Sequence, residues 1–194
     1  MGVCLVAYAI SDQNLDAILA DPPLVWRVVS QDDDSSYLKA LGAGARPSFW
    51  GRLFGRVPTP IEPKTLSLDE PQRYVVDLDK SWDGLNRVLA ALAPSAPNFF
   101  DAAEFPGGIE VGYGVALYQR SPVVSQVAAA WASISQDDLR QALHSIDFRG
   151  AYLDGVWLRR DDEALEYLTE NFAFLKAFVA HAQRHGLGAL IQMT

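Results

Sequence analysis

The sequence predicts an α/β or α+β fold, a central mixed sheet with strands near both termini, covered by helices. Three observations point there. An apolar run, Val3 to Ile10, opens the chain; a second, Gly188 to Met193, closes it; and between them apolar residues recur three and four positions apart in several segments. Strands at both ends with amphipathic helices between them bury most apolar surface when the helices lie on the sheet.

With 194 residues, of which 49% are apolar and 21% charged, the composition is that of an ordinary globular domain. A chain of this length buries roughly 70% of its unfolded surface, so one domain over residues 1–194 has a real core available.

Val3 to Ile10 has no polar gap for solvent, the pattern of a largely buried strand. Ser11 then offers an N-cap oxygen, and Leu15, Ile18 and Leu19 repeat at helical spacing until Asp21-Pro22-Pro23 stops them. From about residue 24 to 63 the pattern is lost: Asp32-Asp33-Asp34-Ser35-Ser36, then Gly42 and Gly44, then four prolines from Pro47 onward predict an irregular excursion with one or two short helices. Asp77 to Ala93 is an amphipathic helix carrying Trp82, Leu85, Leu89 and Leu92, ended by Pro94. Gly107 to Tyr118 reads as a loop leading into a strand. Ser121-Pro122 starts the next helix, with Ser121 expected as cap and Pro122 as first residue, and Ser135 with Asp138 opens another. The long helix, about Asp161 to His185, has acidic residues in its first turn, a stripe of Leu165, Leu168, Phe172, Leu175, Val179 and Ala182, and Gly186 at its end.

The formal net charge of −8 opposes a phosphate backbone, so nucleic acid is not an expected partner. The single cysteine, Cys4, excludes an intramolecular disulfide and fits a reducing compartment; it is expected as a core thiol. The opening apolar run has no basic segment before it and no cleavage site after it, and it is far too short to span a membrane. A cytoplasmic protein without a membrane span is expected.

Candidate sites are few. His181 and His185, four apart, share a helix face where a transition metal could sit, yet no third ligand is visible; cations complementing the helix C-terminus are the simpler account. His144 with Asp147 would make an oriented base, but no nucleophile stands near, and Ser121, Ser125 and Cys4 lack a nucleophile elbow. Gly107-Gly108 and Gly112-x-Gly114 lack the residues of a phosphate loop. Asp77, Asp79 and Asp83 are expected to cap free helical amides, with Lys80 and Trp82 lining a cleft. No cofactor and no metal is predicted. The one feature unexpected in so acidic a chain is Arg46 to Arg56, where Arg46, Arg52 and Arg56 alternate with Phe49, Trp50, Leu53 and Phe54. Such residues concentrate binding energy at protein interfaces, or they fold back as core.

The run Asp77-Leu78-Asp79-Lys80-Ser81-Trp82 before a leucine-rich helix resembles the bacterial YfbM-like family, whose function is unknown. Gly112 to Tyr118, Ser121-Pro122, Tyr152 with Trp157, and Tyr167-Leu168, Asn171-Phe172 and Leu175 extend the resemblance over most of the chain; residues 32–63 are its loosest part. The resemblance implies a three-layer α/β/α arrangement and brings no catalytic residues. Many members carry histidine near positions 83 and 86, where this chain has Asp83 and Asn86.

The expected function is therefore non-catalytic binding of another protein, with a toxin-neutralising immunity protein as one concrete form. The rival is a small-molecule hydrolase or transferase with a cleft formed by Asp79, Lys80, Trp82, Tyr113 and Tyr118.

Overall fold

The computed structural model describes residues 2–30, 33–42 and 63–194. The segment Arg46 to Arg56, with its Phe49, Trp50, Arg52 and Phe54, lies outside the described residues.

The first and last strands are neighbours at the centre of the sheet. β1 (Leu5–Ile10) pairs with β5 (Gly188–Met193) from Leu5 opposite Met193 to Ile10 opposite Gly188. β2 (Val75–Asp77) flanks β1, while β4 (Leu117–Gln119) and then β3 (Ala103–Glu104) flank β5, giving the order β2-β1-β5-β4-β3. The expected mixed sheet is corrected here: every pairing is antiparallel. Antiparallel neighbours need no crossover helix between them, so the helices gather in blocks and the domain is α+β.

Side chains alternate across the two central strands, and both faces are covered. Leu5, Ala7 and Ala9 with Ala189 and Ile191 face a core built from α4 (Trp82–Leu92), α5 (Ser121–Trp131), α6 (Gln136–Ser145), α7 (Asp154–Trp157) and α8 (Asp162–His185). Ile10 and Leu190 face the other way, onto Leu15 and Ile18 of α1 (Asp12–Ala20), Leu24 and Val25 of a 3₁₀ turn, Val28 of α2 (Trp26–Val29) and Tyr37 of α3 (Asp34–Ala40). The three-layer arrangement follows, and the start of the irregular excursion supplies much of the thinner layer.

Local signals placed most helix ends where expected, with two exceptions. α4 begins at Trp82, not at Asp77, because Asp77 still belongs to β2 and residues 78–81 form the turn between them. Ser135 and Asp138 close a reciprocal capping box, the Asp161 carboxylate accepts from the Ala164 amide, and Gly186 ends α8 in the left-handed region at φ 63°. Ser121 is not the cap of α5. It is the first helical residue, and its amide and hydroxyl donate to the two oxygens of Asp12 at 3.0 and 2.8 Å, so the carboxylate comes from the start of α1. Among the described residues no helix is long and apolar enough to cross a membrane.

Gly84 is where α4 meets α7. A Cβ there would lie 2.5 Å from two ring carbons of Trp157, which is fully buried, donates its indole N–H to the Tyr152 carbonyl and stacks on Tyr167. The ring has no room to move away. Gly84→Ala, which would stabilise an exposed helix, is expected to destabilise this protein by about 1–3 kcal/mol. Urea unfolding of the two proteins checks this, and an unchanged or raised midpoint would show that the contact is looser than described.

Candidate functional site

Asp79 and Lys80 stand in the turn between β2 and α4, and Trp82 is the first residue of α4. Asp77 ends β2 and accepts the Asp79 amide on its carboxylate at 2.8 Å, an Asx turn that lets Asp79 adopt a φ of 45°. The turn is tied to β1 on both sides: the Leu78 amide donates to the Leu5 carbonyl at 2.9 Å, and the Leu5 amide to the Asp79 carbonyl at 3.0 Å.

From this turn the Asp79 carboxylate reaches two distant elements. Tyr167 of α8 donates its hydroxyl to one oxygen at 2.7 Å, and the Cys4 thiol donates to the other at 3.3 Å. The Tyr167 oxygen in turn accepts the Lys80 amide at 3.2 Å. These bonds shift all three groups. The Tyr167 hydroxyl holds the Asp79 carboxyl below the usual carboxylate range. Burial and the same bond push the Tyr167 phenol up, and burial with the Asp79 bond raises the Cys4 thiol. Cys4 is half-buried, not a core thiol, and burial with the Asp79 carboxylate favours its protonated form over the thiolate.

A second set of bonds holds the chain just before Cys4. The Val3 amide donates to the Tyr152 hydroxyl at 2.6 Å, and the Trp82 indole donates to the Val3 carbonyl at 3.0 Å, with the two rings stacked 5.5 Å apart. Asp83 accepts the Tyr152 amide at 2.7 Å and Arg87 at 3.4 Å. The expectation that Asp77, Asp79 and Asp83 cap helical amides is thus corrected: Ser81 stands at the N-cap of α4 with its hydroxyl donated back to the Leu78 carbonyl at 2.6 Å and not to the helix, and the three carboxylates bind elsewhere.

On the outer side of this network lies an open groove of about 540 Å³, lined by Asp79 and Lys80, by Leu153, Val156 and Arg159 of the α7 region, and by Glu163, Glu166, Tyr167 and Glu170 of α8. Among the described residues three other than glycine have positive φ: Asp79 at 45°, Leu153 at 57° and Arg160 at 54°. Two of them line the groove and the third follows Arg159. For Leu and Arg such a backbone costs roughly 1–2 kcal/mol each, so strain gathers at this place.

Trp82 packs on Tyr152 and does not line the groove, and the two tyrosines of the expected cleft lie elsewhere. Tyr113 is 56% exposed, its amide bonded to the Met193 carbonyl, and Tyr118 packs on Phe105 over the other face of the sheet. His181 stacks on Tyr74 at 4.5 Å and its Nε2 lies 2.8 Å from the Pro71 carbonyl, so that nitrogen is occupied. Asp147 is taken by Arg149, whose guanidinium holds its carboxyl down to about 2, and does not orient His144. Sequence reasoning missed Tyr152 and Tyr167 as partners of Asp79 and Asp83, although both stand among the residues that carry the family resemblance.

The geometry defines an α+β domain whose first strand, β2–α4 turn and last helix are joined through one carboxylate beside an open groove. A family model described as a domain of unknown function, DUF1877, matches residues 1–192, and the chain belongs to that family. Among solved structures it is similar to the crystal structure of YfbM from Escherichia coli, a protein of unknown function, at 11% identity over 98% of this chain and 99% of that one, with a TM-score of 0.47. A comparison with curated proteins finds no match.

Tyr167→Phe removes the hydroxyl that holds Asp79 and is expected to lower stability by about 0.5–1 kcal/mol at pH 7. Because the carboxyl is depressed in the folded state, this contribution is present above the unfolded value near 4 and is lost as pH falls through the lower folded value. Urea unfolding at pH 7 and pH 3 should show the gap between the two proteins closing at the lower pH. A constant gap would mean that the lost contact is packing.

Proposed function

We propose that this protein is a non-catalytic binding protein whose partner is another protein, and that it works in the cytoplasm, where its one thiol stays free. A toxin-neutralising immunity protein is one concrete form of that reading. The observation that carries it is the use of the ionisable groups around Asp79. Each oxygen of the carboxylate accepts a hydrogen bond from within the chain, burial and that carboxylate push the phenol and the thiol up, and the indole and second tyrosine hydroxyl hold the Val3 peptide. A nucleophile or a general base needs a lone pair directed at a substrate with a matched proton affinity; here the thiol and the phenol spend their protons on Asp79, which supports binding over catalysis.

The net charge of −8 favours a basic partner and opposes nucleic acid. Affinity capture by the tagged full chain from native lysate, followed by size-exclusion chromatography with light scattering, tests the reading. One protein retained at fixed stoichiometry through the column, at physiological salt, is the expected result. Recovery of the chain alone, together with turnover of a model ester or phosphoester that Asp79→Asn abolishes, would replace binding by catalysis.

A further inference from the structure

Resting on that binding reading, the geometry points to the groove between α7 and α8 as the docking surface, and to a basic segment of the partner protein carrying apolar anchors as its occupant. The charges within the groove are not balanced. Lys80 stands beside Asp79, and Arg159 pairs with Asp161 at 3.3 Å and Glu163 at 3.4 Å. Glu166 and Glu170 are exposed and make no ion pair among the described residues. They stand four residues apart on α8, one helical turn or about 6 Å, so they present two carboxylates in line on one face. A segment with cations at a matching spacing satisfies both.

Apolar groups flank these carboxylates. Leu153 and Val156 line the opposite wall. Phe174, one turn beyond Glu170, is 57% exposed, and Leu158, next to Arg159, is 43% exposed. Large apolar side chains left in water beside unneutralised acids are the composition of an interface whose core is apolar and whose rim is charged. The walls are fixed before binding, because Tyr167 is bonded to Asp79 and its ring stacks on Trp157 at 5.8 Å, so docking costs little ordering of this chain.

The test uses the full chain labelled with nitrogen-15 and a 12-residue peptide in which arginine alternates with leucine. Amide shifts are expected to concentrate in residues 153–159 and 163–174, and the glutamate–leucine counterpart peptide should not reproduce them. Glu166→Lys with Glu170→Lys should weaken binding at least tenfold. Glu104→Lys with Glu110→Lys makes the same change in net charge at exposed positions away from the groove and should weaken it less than twofold. Equal losses in the two double variants, or shifts spread over the whole acidic surface, overturn the groove. The captured partner separates the two readings: if it binds the Glu166/Glu170 variant as tightly as the original chain, the groove falls and the binding reading stands; if no protein is captured, the binding reading falls first. Both double variants alter exposed residues only, and an unchanged thermal midpoint confirms that each is folded.

Discussion

The pairing of the first strand with the last is the constraint on which the rest of this structure depends. β1 and β5 contact each other over their whole length, and each is covered on both faces. Neither core is complete without that pair, because each draws alternate residues from the same two strands. The small residues Ala7, Ala9 and Ala189, all fully buried, let α8 lie close on one face, and Gly186 turns the chain from that helix into β5. A contact between residues nearly the whole chain apart closes a long loop, which slows folding more than it weakens the product.

The Asp79 network extends that central pair sideways. The turn after β2 is bonded to Leu5, the carboxylate of the turn is bonded to Cys4 and to Tyr167, and Trp82 and Tyr152 hold Val3. The ionisable groups around Asp79 thus anchor the strand on which the sheet is built. A carboxylate does this well: it accepts from two donors at once, and a charged acceptor makes a stronger hydrogen bond than a neutral one.

How much of this was legible depended on how local the signal was. The capping box at Ser135, the stripe of α8 and its glycine stop all lie within one element, and sequence reading gave them correctly. β2 and β3 have three and two residues, too few for a period of two to register. Strand direction leaves no mark in the pattern, so the mixed sheet was a guess that the antiparallel pairings replaced. The roles of the aspartates failed for the same reason. Asp79 bonds to residues 88 and 75 positions away, Asp83 to one 69 away and Asp12 to one 109 away. A carboxylate near a helix start looks like a cap from sequence, and only the tertiary fold decides otherwise.

The groove owes its character to what the network uses and what it leaves. α8 turns Leu165, Leu168 and Phe172 into the core and Tyr167 toward Asp79, and by the helical period Glu163, Glu166, Glu170 and Phe174 must then face outward. Among the described residues Arg159 pairs with Asp161 and Glu163, and neither Glu166 nor Glu170 has an ion-pair partner. An exposed acid costs nothing in water, but an exposed phenylalanine next to it gains nothing either. Their adjacency at a strained concavity follows from the same helical register that sends Leu165, Leu168 and Phe172 inward, while the Asp79 network fixes the wall on which they stand.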